Sequence, residues 1–256
     1  MSEQTDGDLV ITDDGSHTVY SSRFDQHYHN PNGAVAESRY VFFQQTALLD
    51  DLNSCDQITI LEIGFGTGLS LMLLMDSWFD QDSTTHIDYY SVEGFPLSHK
   101  MAKEFNFGDH FHHPEVTAEV TDLFANLSEG MNHTDLSEHF SVHLFYGMFE
   151  DFRPGQINAN YVFHDAFSPD ANPELWTGET FKKIYTLCAD NVLLSTYSAA
   201  SIAQGALAWA DWHVAKTKGA LGKREMLLAA KNPERLGDLK RINEERYARR
   251  YAEDDF

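Results

Sequence analysis

Positive charge is scarce in this sequence. Its 18 lysines and arginines stand against 40 aspartates and glutamates, for a formal net charge of −22. A surface that acidic argues against general adhesion to nucleic acid over the whole molecule. Cysteine is nearly absent. Cys55 and Cys188 cannot form a disulfide framework, and each lies in or beside an element that reads as buried. Free buried thiols in a reducing cytosol are the expectation. Long apolar runs are missing too, and none approaches the roughly 18 residues of a membrane span. The opening MSEQTDGDLV has neither the basic start nor the apolar stretch of a secretory leader. A cytoplasmic protein is therefore expected.

What is present suffices for a packed core. The 256 residues are 42% hydrophobic and 13% aromatic, enough for one large domain or two small ones. Charge is unevenly spread. Residues 1–215 hold 7 basic against 32 acidic side chains, whereas residues 216–250 hold 11 against 5. This basic island reads either as a solvated helical tail or as a localised contact for a polyanion.

The hydrophobic pattern alternates between two periods. LVITDDGSHTVY, residues 9–20, reads as two short strands around an Asp-Gly turn. Residues 36–51 read as one helix with Tyr40, Phe43, Ala47 and Leu48 on its stripe. QITILEIG, HIDYYSVE, SVHLFYG, NYVFHDAF and NVLLSTY read as strands. Helices are expected over 67–78, from Pro96, over 174–189 and over 201–210. WHVAKTK and EMLLAAK read as a closing antiparallel pair, and residues 109–140 as a polar excursion. Strands alternating with helices predict an α/β fold with a parallel sheet layered by helices.

The segment ILEIGFGTGLS, Ile60 to Ser70, lies where open α/β sheets bind ligands, outside the carboxyl end of a strand. Glycines at 64, 66 and 68 allow a sharp turn and close ligand approach. A dinucleotide fingerprint needs glycine at 69, which is Leu69. Glu62, two residues ahead of the first glycine, suits a ligand with positive charge better than a pyrophosphate. S-adenosylmethionine carries a sulfonium and an ammonium and no phosphate. Glu93, at the end of the next strand, suits ribose hydroxyls. In HDAFSPDANPELW, Asp165 emerges from a further strand at the same sheet edge. Phe167 and Trp176 offer flat faces there, and Pro169 and Pro173 stiffen the loop.

At these motifs the chain resembles the methyltransferase domain of the MnmC proteins and their stand-alone MnmD-like relatives. The resemblance rests on SSRFDQHYHNPNGAVAESRYVF, EIGFGTGLS, VEGFPL, DAFSPDANPELW and GKREML, and covers about residues 20–230. It implies a Rossmann-like class I methyltransferase: a mostly parallel seven-stranded sheet, helices on both faces and an N-terminal hairpin-and-helix extension. The implied parts are an extension over 1–52, a catalytic domain over 53–232 and a charged helical tail over 233–256. No FAD-dependent half is expected to follow.

The resemblance implies S-adenosylmethionine-dependent N-methylation of 5-aminomethyl-2-thiouridine at the tRNA wobble position. The cofactor residues so implied are Glu62, Gly64, Phe65, Gly66, Thr67, Gly68, Glu93, Met148, Phe149 and Asp165. Asp165 is the implied catalytic residue, orienting the amine and accepting its proton. Tyr28, Arg39, Phe167, Pro169, Asn172, Trp176, Lys223 and Arg224 are the implied substrate contacts, with tRNA also meeting the basic segment 216–250. Two alternatives stay open: a methyltransferase of the same fold on a small amine, and a non-catalytic cofactor-binding protein. Relatives carry an acid near the adenine amino group where this chain has Met148 in YGMFED, and often a lysine where it has Ala171. His110, His112 and His113 read as surface histidines, not a metal site.

Overall fold

Strands β1 (Asp8–Ile11) and β2 (His17–Ser21) pair antiparallel around the expected Asp-Gly turn. The Asp14 carboxylate accepts the Ser16 and Ala36 backbone N–H groups, at 2.9 and 3.0 Å. It thereby ties the turn to α1 (Ala34–Ser38). The short β3 (Gln26–His27) completes a three-stranded sheet. This computed structural model describes residues 7–256; the opening MSEQTD, part of the segment read as lacking a leader, lies outside them.

The single helix expected over 36–51 does not form. The chain passes from α1 into a π-helix over Arg39–Gln44, breaks, and resumes in the one-turn α2 (Leu48–Asp51). The Gln45 N–H bonds the Tyr40 carbonyl five residues back. Val41, Phe42 and Phe43 are consecutive yet all buried, more than an α-helical stripe places on one face. Phe42 and Phe43 both meet Phe163, at 4.8 and 5.7 Å between ring centres. Tertiary packing thus overrides the local period.

The main sheet has nine strands where seven were expected. In chain order its elements are β4 (Gln57–Ile63), α3 (Leu69–Asp80), β5 (His86–Glu93), α4 (His99–Ala102), α5 (Val116–Leu123), β6 (Gly130–Ser137), β7 (Phe140–Tyr146) and β8 (Ala159–His164). Then follow α6 (Gly178–Leu187), β9 (Cys188–Thr196), α7 (Ser201–Trp209), β10 (His213–Thr217), β11 (Met226–Ala230), β12 (Lys240–Arg241) and α8 (Glu244–Ala252). The strand order is β12-β10-β11-β9-β8-β4-β5-β7-β6. The five strands from β9 to β7 are parallel, and those outside them pair antiparallel.

The two extra strands are edges. β6 is half-exposed or exposed throughout, so it carries no apolar alternation to reveal it. Lys240 and Arg241, expected on a helix, form β12 against β10; the helix α8 starts only after the Asn243 cap. The polar excursion over 109–140 contains α5 and β6. Pro96 does not open a helix, because Ser98 caps α4 by accepting the Met101 N–H. The helix expected over 174–189 begins as a 3-10 turn at Pro173–Trp176 and becomes α6 after the Thr177 cap. Cys188 is buried as expected, whereas Cys55 is exposed.

Alternation along the central strands sends side chains to two cores. Ile58 and Ile60 of β4 join Leu74, Phe107 and Phe163 on the face covered by α1, α3 and α5. Leu61 and Ile63 join Trp176, Phe181 and Trp212 on the face covered by α6 and α7. Each such fully buried apolar side chain stabilises the fold by roughly 1.5–3 kcal/mol. Because the central strands are parallel, the ends of β4, β5, β7 and β8 open on one edge of the sheet. No helix among the described residues is long and apolar enough to cross a membrane.

Candidate functional site

The glycine loop leaves β4 at that edge. Gly64, Gly66 and Gly68 have φ of 95°, 54° and 78°, a region that favours glycine. Gly64 also has no room for a side chain, since a Cβ there would lie 2.8 Å from the Asp165 carbonyl oxygen. The Gly64 N–H bonds the Val92 carbonyl at 3.0 Å, and the Asp165 N–H bonds the Ile63 carbonyl at 2.9 Å. The three strand ends are therefore stitched together. Glu93 is buried and grips the loop. Its two carboxylate oxygens accept the Gly66 and Phe95 N–H groups, at 2.9 and 2.7 Å. Burial raises its pKa against the pull of those bonds.

A cavity of about 620 Å³ opens beside the loop, within the usual range of cofactor sites. Gly64, Phe65, Gly66, Glu93, Met148, Phe149 and Asp165, expected on the cofactor side, line it. Tyr28, Phe167 and Asn172, expected on the substrate side, line it as well. The fit to S-adenosylmethionine rests on these walls: a glycine cradle that a Cβ would obstruct, the acids Glu93 and Asp165 beside it, and flat apolar faces. The Glu93 carboxylate keeps acceptor capacity beyond its bonds to the loop backbone, which suits ribose hydroxyls.

Three expected cofactor residues stand behind this wall. Glu62 is 1% exposed and accepts the Ser91 hydroxyl at 2.8 Å. Burial pushes its pKa up to about 8. Thr67 is fully buried and bonds the His29 ring at 2.8 Å, pinning the N-terminal extension to the loop. Burial pushes His29 down to about 4, so its ring is neutral at pH 7. Gly68 packs towards Val120 and Phe65. None of the three lines either cavity.

A second cavity, of about 260 Å³, shares Tyr28, His29, Asp165, Ala166 and Phe167 with the first. Its remaining wall includes Gln26, Glu37, Val41, Tyr197 and Lys223. Lys223 reaches across 186 residues of sequence to the Glu37 carboxylate at 2.6 Å, and lies 4.9 Å from the Tyr197 ring centre. Asp165 sits where the cavities meet, and no protein donor reaches its carboxylate among the described residues. Its pKa is raised well above the usual range, by burial first and then by the negative charges of Glu62 and Glu37; Lys223 opposes the shift.

Phe167 forms part of an aromatic wall. Phe24 stacks on it at 4.3 Å between centres, and Tyr28 meets it edge-on at 4.9 Å. Phe24 was not anticipated, nor were His29, Gln26, Tyr197 and Lys183. Gln26 accepts the Ser168 N–H and hydroxyl at 3.2 and 3.0 Å, fastening the Asp165 loop to the extension. Phe24, Gln26 and His29 stand within the motif SSRFDQHYHNPNG, which marked the segment without assigning these positions. Lys183 and Tyr197 carried no signal.

Four expected substrate contacts lie elsewhere. Trp176 is 1% exposed and donates its indole N–H to the Phe167 carbonyl at 2.7 Å. It supports the aromatic wall from within the core and offers no stacking face. Arg39 bonds the His110 carbonyl at 2.7 Å and faces Asp76 at 3.5 Å, away from both cavities. Pro169 and the exposed Arg224 also line neither cavity. His112 bonds Asp80, and His113 lies near Glu115. Among the described residues no three His, Cys, Asp or Glu side chains are grouped to hold a metal.

Comparison with known proteins places this geometry. Residues 114–232 match the model of a family described as S-adenosyl-L-methionine-dependent methyltransferase. The chain is 31% identical over 224 residues, 85% of its length, to the tRNA 5-methylaminomethyl-2-thiouridine biosynthesis bifunctional protein MnmC of Aromatoleum aromaticum. It is 31% identical over 218 residues to the protein of that name from Leptospira borgpetersenii. It spans 34% and 33% of those two proteins, so it matches about a third of each. Among solved structures, MNMC2 from Aquifex aeolicus aligns with a TM-score of 0.76 at 23% identity, over 98% of this chain and 77% of that one. This likeness shows the class I methyltransferase fold.

Proposed function

We propose that this chain, which is similar to S-adenosyl-L-methionine-dependent methyltransferases and to MnmC proteins, methylates the amine of 5-aminomethyl-2-thiouridine at the tRNA wobble position. The product is 5-methylaminomethyl-2-thiouridine. One observation carries the reading. Asp165, with a carboxylate free of protein donors, borders both the cofactor-sized cavity and the smaller one beside it. A methyl acceptor in the smaller cavity therefore meets a base at the boundary.

S-adenosylmethionine, when bound, supplies a methyl group activated by its sulfonium. Gly64, Gly66 and Phe65 would hold its methionine part, and Glu93 its ribose. Asp165 would accept the proton that the amine nitrogen sheds. Burial and the nearby Glu62 and Glu37 charges raise its proton affinity, which makes it the stronger base. Phe24, Tyr28 and Phe167 would grip the flipped wobble base by stacking. Holding nitrogen in line with the methyl group is chiefly a positioning task.

Contact with tRNA falls to the basic segment 216–250. Lys216, Lys223, Arg241 and Arg250 already face acids in this structure. Lys218, Arg224, Lys240, Arg246 and Arg249 have no ion-pair partner among the described residues and would meet phosphates. The reaction belongs in the cytoplasm, with its tRNA. Labelled methyl transfer to tRNA bearing the free aminomethyl group tests the proposal, alongside mass spectrometry of wobble nucleosides from a deletion strain. Unchanged product in that strain, with no redundant enzyme, sinks it. The acidic surface favours one rival, a small free amine as acceptor, and transfer to such amines but not to tRNA would establish it.

A further inference from the structure

The segment Gly147–Asp151 borders the large cavity through Gly147, Met148, Phe149 and Glu150, and most of its backbone acceptors are already engaged. A carbonyl oxygen accepts at most two hydrogen bonds. The Phe149 carbonyl already accepts the Phe152 N–H at 3.2 Å and the Lys183 ammonium. The Glu150 carbonyl accepts Lys183 at 3.2 Å and the Arg153 guanidinium. The Met148 carbonyl takes the Asp151 N–H at 2.9 Å. The acceptors along this wall are largely occupied, and the group that occupies two of them is a cation lining the cavity.

Lys183 projects from α6 and lines the same cavity as the glycine loop. Its ammonium has three N–H donors. Two engage the Phe149 and Glu150 carbonyls, and its Nζ lies 4.4 Å from the Phe149 ring centre. The third has no protein acceptor among the described residues. Glu150 and Glu179 line the same cavity but are exposed to solvent.

We infer that Lys183 reads the adenine of the cofactor by donating to a ring nitrogen. The inference rests on the reading of the large cavity as the S-adenosylmethionine site. In this recognition the protein donates and the ring accepts. Met148 then covers the ring with an uncharged thioether, its sulfur packed 3.2 Å from where a Gly94 Cβ would stand. Partial burial pushes the Lys183 pKa down to about 8, so at pH 7 most of it remains the three-donor ammonium.

The test is calorimetric and needs no turnover. S-adenosylhomocysteine and its 1-deaza, 3-deaza and 7-deaza analogues, each lacking one ring nitrogen, are titrated at pH 7 into the wild type and Lys183→Met. The wild type is expected to bind one analogue roughly tenfold more weakly than the parent, the worth of a hydrogen bond to a charged group. Lys183→Met is expected to bind the parent roughly tenfold more weakly and not to distinguish it from that analogue. Lys183→Arg, which keeps a charged donor, should retain part of the discrimination. A variant that weakens parent and analogues alike, with discrimination intact, assigns Lys183 to merely holding the 149–150 backbone and overturns the inference. So does a wild type that binds all four ligands equally. A wild type that binds none of them overturns the cofactor reading itself.

Discussion

The two cavities that meet at Asp165 are built in opposite ways. The larger is made by strand ends and the turns that leave them: one glycine loop, one acid from the next strand, one short segment after β7. Its key contacts are the Glu93 carboxylate gripping loop N–H groups and backbone bonds between neighbouring strand ends. The smaller is made by side chains from distant parts of the chain, with Glu37 and Lys223 closing it across 186 residues. The first is a property of the sheet edge, and the second a property of how the extension folds over it. On the proposed reading, a cofactor common to many methyltransferases would be held by the general part, and the acceptor by the particular one.

The sharpest way to break this division is Asp165→Ala, which touches both sides. Cofactor affinity by calorimetry should change little, while single-turnover transfer should fall by roughly 10²–10⁴, the usual worth of a positioned base. Near-normal transfer would remove Asp165 from its role. Glu93→Ala tests the larger cavity alone. It leaves the Gly66 and Phe95 N–H groups without their acceptor and should weaken S-adenosylhomocysteine binding by roughly ten- to a hundredfold. Affinity for tRNA, measured by filter binding, should stay the same, and an equal loss there would merge the two cavities into one site.

Gly64→Ala probes how the loop is seated. At φ 95°, with the Asp165 carbonyl 2.8 Å from the added Cβ, it should cost about 1–3 kcal/mol in denaturant unfolding. An unchanged midpoint would show that the turn tolerates a side chain. The smallest effect is expected from Lys223→Met. The Glu37 pair is partly exposed and worth about 0.2–1 kcal/mol to stability. Its electrostatic role is clearer in sign. The Lys223 charge favours ionised Asp165, so removing it raises the Asp165 pKa further. The acid limb of the pH profile for kcat/KM should move to higher pH, and a limb that stays in place would separate Lys223 from the base.

Legibility followed the same division. β4, β5 and β8 carry continuous or alternating apolar residues on schedule, and the loop between Ile63 and Leu69 announces itself by its glycines. Glu93 and Asp165 were readable because each ends a recognisable strand. Trp176 was misplaced because an indole in a motif looks the same whether it faces a ligand or supports Phe167 from behind. Arg39 was misplaced for a similar reason, since only folding brings Asp76 and the His110 carbonyl to it. Lys183 gave no sign, because a lysine on an amphipathic helix ordinarily faces solvent. The π-helix over Arg39–Gln44 arose where two phenylalanines compete for the same neighbour, Phe163.

The sequence by itself determined the alternation of strand and helix, the glycine turn and the acids that end two strands. Those features depend on periods and conformations that each segment carries locally. Only the tertiary structure decided that Glu62 stands behind the wall, that Glu37 and Lys223 close the second cavity, and that Lys183 faces the first. Burial and long-range charge pairing belong to the assembled chain, because desolvation depends on everything packed around a group and not on its sequence neighbours.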